Sequence, residues 1–346
     1  MRVLVTGSEG YIGAVLGPYL LARGLDVVGL DTGYYRDGWL FSAGRTRYPA
    51  CIAKDIRAVE ARDLAGFDAI VHLAELSNDP LGQHNPETTF AINHRGSVHL
   101  AEQARAAGVS RFVYTSSCSV YGVGSGDEVK TETSEPKPQT AYAQCKVLVE
   151  RDLTAMAGDD FTPTFLRNAT AFGPSPRMRF DIVVNNLSGL AWTTHEIRMT
   201  SDGTPWRPLV HVEDICQAIA CTLAAAPAAV ATQVLNVGDT EANYQVRDIA
   251  AIVGRTFPGC SVTLGSQDGD NRSYRVSFDK IRRVLPDFRC RHDVEAGARQ
   301  LHAIFERIAM SAERFGFRAF TRLKQLEYLM STGQLAADGS WTELGA

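Results

Sequence analysis

The 346-residue sequence lacks an excess of charge of either sign: 35 Lys and Arg stand against 39 Asp and Glu, for a net charge of −4. Binding to a nucleic-acid backbone rests on a cationic surface, so no nucleic-acid partner is expected. Paired cysteines are missing too. The seven, at 51, 118, 145, 216, 221, 260 and 290, are odd in number and form no C-x-x-C pair. Reduced thiols in a cytoplasmic protein are the plain expectation. His and Cys do not recur at zinc spacing, so no metal is expected. The first apolar run of MRVLVTGSEG is only three residues long, with a Gly-rich turn after it, which reads as a buried strand rather than a signal peptide. No run is apolar enough for a membrane. The longest uncharged stretch, between Asp214 and Asp239, is broken by Gln217, Pro227, Thr232, Gln233 and Asn236. It predicts a soluble helix, a break and a strand.

What is there is ordinary globular material. Hydrophobic residues make 45% and charged residues 21%, which excludes a disordered or collagen-like chain. The length suits two domains or one large α/β unit, with ample core and no need of staples. Glycine alone is in mild excess, 30 residues or about 9% against a usual ~7%.

Short β-branched runs alternate with helical patterns. Strands are predicted at Val3–Val5, Val27–Asp31, Ala69–Leu73, Arg111–Ser116 and Thr162–Arg167, and helices at 12–23, 87–107 and 141–156. The alternation predicts a parallel sheet with helices on both faces. Apolar runs such as AIVHLA fit strands buried on both sides. From about residue 168 the pattern loosens. Helices are predicted at 181–193, 213–225, 246–256, 278–285 and 293–314, with short strands at 198–200 and 209–211. The end, TGQLAADGSWTELGA, reads as weakly packed.

The first strand runs straight into T-G-S-E-G-Y-I-G. Gly7, Gly10 and Gly13 let backbone approach a pyrophosphate, and the helix that follows offers its N-terminus to the anion. Tyr11 and Ile12 belong to the same turn. Asp31 ends the next strand, 24 residues after Gly7. An acid there accepts from both adenosine ribose hydroxyls and repels a 2′-phosphate, while Arg36 nearby would soften that preference. Asp55 and Ile56 follow the third strand, where the acid either meets the adenine amino group or is a solvated loop acid. Leu73 and Ala74 end the fourth strand beside the expected cleft.

Tyr142 and Lys146 form Y-x-x-x-K on a predicted helix, on one face and one turn apart. The ammonium favours tyrosinate near neutral pH and can hold a ribose. Ser117 stands 25 residues earlier, at the C-terminal end of the fifth strand, where ligands bind in such sheets. Thr115, Ser116 and Ser119 are its competitors for the role of polarising a substrate oxygen.

These motifs carry a resemblance. VTGSEGYIG, DIR, VHLAELS, INHRGSVHLAEQA, FVYTSSCSVYG, YAQCK, FGPSPR and WRPLVHVEDI run in one order from residue 1 to about 290. The chain resembles extended short-chain dehydrogenases/reductases of the nucleotide-sugar epimerase/dehydratase branch, such as the UDP-glucose 4-epimerase-like enzymes. The resemblance implies an α/β fold, a Rossmann-type doubly wound parallel sheet with a smaller C-terminal substrate lobe. It implies NAD as cofactor, a nucleoside-diphosphate sugar as substrate, and a homodimer. The expected division is a NAD-binding unit over 1–167, with parts of 209–240 returning to it, and a substrate lobe over 168–346. Asn93 falls where the family has an asparagine supporting the active-site strand and is counted with the cofactor residues. Arg207 and Asn186 match family contacts to the substrate diphosphate. Alanine-rich faces with Ala101, Ala104, Ala141 and Ala143 suit either the dimer or packing within the chain.

Departures matter as much. The 4,6-dehydratases carry T-D-E where this chain has Ser117-Cys118-Ser119, so that elimination lacks its proton donor and acceptor. Cys118 would serve only with a shifted pKa, and a buried strand thiol is usually inert. Thr170 replaces the usual asparagine of the galactose-type epimerases. Arg272 is the nearest candidate for their second diphosphate arginine, or else a surface charge; Arg177 and Arg179 are further candidates or rim charges. The expected reaction is NAD-dependent epimerisation, at C4, through a 4-keto sugar. A net 4-keto-sugar reductase uses the same three catalytic residues and is not separated from it by sequence. A dehydratase using Cys118 and a non-catalytic Rossmann protein stand further off, because Tyr142 and Lys146 are both intact.

Overall fold

A computed structural model of the chain describes residues 1–42, 44, 46–77, 85–122, 128–266 and 273–345. The β-branched runs become strands β1 (Arg2–Thr6), β2 (Asp26–Asp31), β3 (Ala50–Ala53), β4 (Ala69–His72), β5 (Arg111–Ser117), β6 (Val129–Lys130), β7 (Thr162–Asn168), β8 (Thr170–Phe172), β9 (Glu196–Arg198), β10 (Trp206–His211), β11 (Val234–Val237), β12 (Asn243–Gln245), β13 (Ser261–Thr263) and β14 (Arg275–Val276). Seven of them form one parallel sheet in the order β11-β7-β5-β4-β1-β2-β3. The order reverses direction beside β1, the place where such sheets open a crevice at their C-terminal ends.

Both faces of the sheet are buried, as the apolar runs require, except at the edge strand β3, whose four residues are exposed. Val3, Val5, Val71 and Val113 pack with Leu16 and Leu20 of the helix Gly13–Leu21 and with Ile215 and Ile219 of the helix Val212–Ala224. On the other face Leu4, Ile70, Phe112 and Tyr114 meet Leu100 and Ala104 of Ser97–Ala106 and Val149 and Leu153 of Ala141–Met156. Each such aliphatic side chain contributes about 1.5–3 kcal/mol of burial. A third core, with Phe180, Val184, Val253, Leu301 and Phe305, fills the region after β7. Small ladders β12-β10-β8 and β13-β9 knit that region together, and β14-β6 ties it back to the segment before β7. No described helix is long and apolar enough to cross a membrane.

Beneath the sheet ends runs a buried polar network. Arg167 on β7 donates from Nε and Nη2 to Glu150 at 3.0 and 2.6 Å, and from Nη1 to the Tyr121 hydroxyl at 3.1 Å. Ser116 on β5 donates to Glu150 at 2.5 Å, and Tyr121 donates to Asn236 at 2.6 Å. The helix Ala141–Met156 is thereby tied to β5 and β7 through a compensated ion pair.

Several local expectations need correction. The single helix predicted over 87–107 is a short turn, Pro86–Thr89, then a π-helical stretch, Phe90–Gly96, then Ser97–Ala106. The widened turns carry Asn93 inward, where its amide brackets Leu76, accepting from its N–H at 2.8 Å and donating to its carbonyl at 3.0 Å. The helix predicted over 293–314 breaks after Arg307: Ala309 takes a left-handed φ of 47°, and Ala312–Gly316 is a separate turn. Ala101, Ala104 and Ala143 are buried within the single chain, so they serve intrachain packing. The chain end is not weakly packed. A helix at Arg322–Ser331 precedes it, Trp341 rests 5.7 Å from Tyr34, and the Trp341 indole donates to the Thr32 carbonyl at 2.7 Å.

Candidate active site

A cavity of about 750 Å³ runs across the C-terminal ends of the sheet strands. Its lining includes Gly7, Gly10, Tyr11, Ile12, Gly13, Asp31, Asp55, Ile56, Leu73, Ala74, Ser117, Tyr142, Lys146, Thr170 and Arg207. One space therefore joins the glycine turn, the acid at the end of β2 and the Ser-Tyr-Lys set.

The glycine turn is built for close approach. Gly7 has φ 70°, and a Cβ there would lie 2.8 Å from the Ala74 nitrogen; a Cβ on Gly13 would lie 2.2 Å from the Gly7 carbonyl. Only bare backbone fits, and the helix beginning at Gly13 points its positive end at the gap. The β4 side of the gap is held by a relay. Thr6 Oγ1 accepts from the N–H groups of Leu73 and Ala74, both at 3.3 Å, and contacts His72 Nδ1 at 2.6 Å. His72 Nε2 meets Ser97 Oγ at 2.7 Å, and Ser97 donates to the Asn93 carbonyl at 2.6 Å. Burial pushes His72 down to about 3, so the ring is neutral in this relay.

At the β2 end, Asp31 accepts from the N–H groups of Gly33 at 2.8 Å and Glu9 at 3.0 Å. Burial pushes its carboxyl up, and those two donors oppose the push. Asp55 caps the turn after β3 and pairs with Arg57 at 2.7 Å. Arg36, expected to soften the choice against a 2′-phosphate, is instead turned to the chain end. It donates to the Gly345 carbonyl at 3.0 Å and its guanidinium lies 4.9 Å from the Trp341 ring.

At the centre, the Thr140 hydroxyl accepts from the Ala143 N–H and starts the helix that carries Tyr142 and Lys146 one turn apart. Lys146 is only 3% exposed. Its ammonium lies 5.2 Å from the Tyr142 ring centre and 4.6 Å from that of Tyr114. It donates to the Thr115 carbonyl and pairs with Glu75 at 2.6 Å. The Tyr114 hydroxyl donates to the other Glu75 oxygen at 2.6 Å. Burial pulls the Lys146 ammonium down, and Glu75 and Tyr142 more than reverse it, leaving the group above its ordinary value. Burial pushes the Glu75 carboxyl up, against the pull of Lys146 and Tyr114. Ser117 lines the cavity and accepts the Ser119 N–H at 3.1 Å. The buried Ser119 Oγ and Asn168 Oδ1, on two further lining residues, have no hydrogen-bond partner among the described residues.

Other predicted residues lie elsewhere. Cys118 is 1% exposed and turned away from the lining, its thiol donating to the Arg167 carbonyl at 3.2 Å. Burial raises that thiol far above its ordinary value, which removes it as an acid, a base or a substrate contact. Asn93 supports the Leu76 backbone behind the wall and does not line the cavity. Asn186 is also absent from the lining; its neighbour Asn185 is the buried one, bonding to the Gly173 N–H at 3.0 Å and the Tyr11 hydroxyl at 3.2 Å. Arg272 lies outside the described residues.

Sequence reasoning missed Glu75 and Arg322. Glu75 stood in VHLAELS, and an acid following a buried strand was a usable signal. Arg322 offered none: on a C-terminal helix it reads as a surface cation. Arg179, left between anion contact and rim charge, is a lining residue, paired to Asp181 at 2.9 Å and donating to Ser77 Oγ at 3.0 Å.

No metal spacing is visible in the sequence, yet His211, Asp214 and His292 bring ligand atoms within 4.8 Å of one another. The donors of His211 and Asp214 are engaged within the chain. His211 accepts the Glu213 N–H and meets Gln300 at 2.8 Å, while Asp214 accepts the N–H groups of Arg291 and His292. The cluster locks the segment before Val294 against the helix that follows β10.

Comparison with known proteins agrees with this geometry. A UDP-glucose 4-epimerase of Mycolicibacterium smegmatis is 32% identical over 305 residues, covering 82% of this chain and 92% of the relative. The solved structure of MoeE5 in complex with UDP-glucuronic acid and NAD is 27% identical, with a TM-score of 0.75 and coverage of 89% of this chain and 99% of that one. The NAD-dependent NDP-hexosamine 5,6-dehydratase TunA, of tunicamycin biosynthesis, is 25% identical, with a TM-score of 0.77 and coverage of 88% and 98%. The profile of the NAD dependent epimerase/dehydratase family matches residues 3–238, which span the glycine turn, Asp31, Ser117, Tyr142, Lys146 and Arg207. The chain belongs to the NAD dependent epimerase/dehydratase family, as an NAD-dependent enzyme of the extended short-chain dehydrogenase/reductase type.

Proposed function

We propose that the protein epimerises a nucleoside-diphosphate sugar at C4. The observation that carries this reading is the meeting of Ser117, Tyr142 and Lys146 with the glycine turn and Asp31 in one cavity, while Cys118 is buried outside it. The bare-backbone cradle at Gly7 and Gly13 fits a dinucleotide diphosphate, and Asp31 fits an adenosine ribose. NAD, when bound, supplies a reversible hydride acceptor.

The chain's own residues handle the proton and the sugar. Tyr142 takes the proton of the sugar C4 hydroxyl and returns it after the 4-keto sugar has turned over. Lys146 favours the phenolate and has one donor beyond Thr115 and Glu75 for a ribose hydroxyl. Ser117 holds the C4 oxygen, and Arg207 meets the substrate diphosphate. Ser119 and Asn168 have unmatched polar atoms for further sugar hydroxyls. Without a carboxylate pair next to Ser117, the 4,6-elimination has no proton donor and acceptor. The 4-epimerase relative supports C4 as the carbon inverted. The cytoplasmic setting and the division at residue 167 belong to the same reading. So does the homodimer, on a surface other than the buried alanines; sedimentation tests it.

Incubation with UDP-glucose and other nucleoside-diphosphate sugars, followed by proton NMR, tests the activity. Expected is interconversion of C4 epimers with no net change at the NADH absorbance band. Stoichiometric NADH consumption would establish a net reductase instead, and a 4-keto-6-deoxy product a dehydratase.

A further inference from the structure

The chain end is fastened across the β2–β3 side of the cavity. Gln325 donates to the Tyr34 carbonyl at 2.9 Å, Arg36 to the Gly345 carbonyl at 3.0 Å and Arg57 to the Asp338 carbonyl at 2.8 Å. This segment places Thr321, Arg322 and Leu323 in the cavity wall. Arg322 is 3% exposed, and its guanidinium sits 3.9 Å from the Tyr35 ring centre. Among the described residues its side chain makes one hydrogen bond, Nη1 to the Ala319 carbonyl at 3.4 Å.

A buried guanidinium with one long hydrogen bond is costly unless an anion completes it. Asp181, whose Oδ2 accepts the Arg322 backbone N–H at 3.3 Å, is already bonded twice to the Arg179 guanidinium, at 2.9 and 3.1 Å. One positive charge in this wall is therefore unmatched. Its position is telling. Arg322 rests on Tyr35, four residues past Asp31 at the adenosine end, and its backbone N–H bonds Asp181, which pairs with Arg179, whose guanidinium reaches Ser77 beyond β4, towards the catalytic end. The cation thus stands between the segments that follow β2 and β4, in the wall of the same cavity as the glycine turn where a dinucleotide keeps its diphosphate.

We propose that Arg322 is a cofactor-binding residue that grips the NAD diphosphate from the side opposite the glycine turn, and that the C-terminal segment is a built part of the cofactor site. This rests on NAD as the cofactor, and the test separates the two ideas. Charge-assisted contacts of this kind weaken binding roughly 10- to 100-fold when removed. Affinities of wild type, Arg322→Gln and Arg322→Lys for ADP-ribose, adenosine and UDP are measured by calorimetry and competition, with the nucleotide retained on purification counted after denaturation. Expected is a 10- to 100-fold loss for ADP-ribose in Arg322→Gln, an intermediate loss in Arg322→Lys, and unchanged adenosine and UDP binding. Equal losses for adenosine and ADP-ribose would mean a structural role and overturn the proposal. A loss for UDP alone would place the contact on the substrate diphosphate and overturn it as well, as would no loss at all. Should Arg322→Gln not fold, Arg322→Lys decides by the same ratio of ADP-ribose to adenosine. A wild type that ignores ADP-ribose would instead bring down the cofactor assignment, and this proposal with it.

Discussion

Glu75 changes how the Tyr-Lys pair works, and Glu75→Gln measures by how much. The Lys146 ammonium is 5.2 Å from the Tyr142 ring centre, and Glu75 Oε2 is 2.6 Å from that ammonium. The sum of the two legs keeps the carboxylate within about 7.8 Å of the ring. At an effective dielectric of about 20, the lysine favours the phenolate by about 3 kcal/mol and Glu75 opposes it by at least about 2 kcal/mol. The pair thus delivers at most about a third of the lysine's bare effect. Glutamine keeps the shape and removes the opposing charge. At about 1.4 kcal/mol per pH unit, the acidic limb of kcat/KM at saturating NAD should move down by about 1.5 pH units. Lys146 stays in place through the Thr115 carbonyl. The same substitution leaves a buried ammonium without its partner and should destabilise the fold by about 3–5 kcal/mol. A limb that moves by less than about 0.3 pH unit, or upward, in a folded variant would refute the electrostatic account.

Tyr142→Phe should lower kcat by roughly 100- to 10,000-fold while NAD affinity changes little; turnover within a few-fold of wild type would remove the tyrosine as proton carrier. Gly13→Ala drives a Cβ to 2.2 Å from the Gly7 carbonyl, so the turn must open; NAD affinity should fall more than 10-fold, read by calorimetry, and unaltered affinity would show the cradle to be misplaced. Acid should destabilise the protein through His72, which burial holds near 3 while the unfolded chain takes its proton at about 6.5. The folded form refuses a proton that the unfolded form accepts, so stability falls as pH drops below that value, by about 2 kcal/mol between pH 7 and 5 from this residue. Urea unfolding at the two pH values should show that share missing in His72→Gln, and an identical pH dependence would count against it.

The sheet was legible because its strands are buried on both faces and so read as unbroken apolar runs, as in AIVH and RFVYTSS. The glycine turn, Asp31, Tyr142 and Lys146 were legible because each depends on spacing along the chain. What could not be read depends on contacts far apart in sequence. The π-helical turn at Phe90–Gly96 exists because Asn93 bonds to Leu76, which no local pattern records. Cys118 and Ser117 are adjacent, and the turn at the end of β5 decides that the serine reaches the cavity and the thiol does not. Arg322 is brought to the cavity wall by a chain end whose polar composition suggested loose structure.

The buried tie between Glu150 and Arg167 has a consequence for how such a protein can change over evolution. Glu150 stands one turn beyond Lys146 on the same helix, so sliding that helix along β7 would strand a guanidinium in the interior, at about 3–5 kcal/mol. The base cannot be re-aimed by small steps. The cavity walls around Thr170, Ser201 and Arg207 belong to connections outside this tie. In the proposed reaction, new substrates are therefore accessible by mutation there, while the proton chemistry is inherited unchanged.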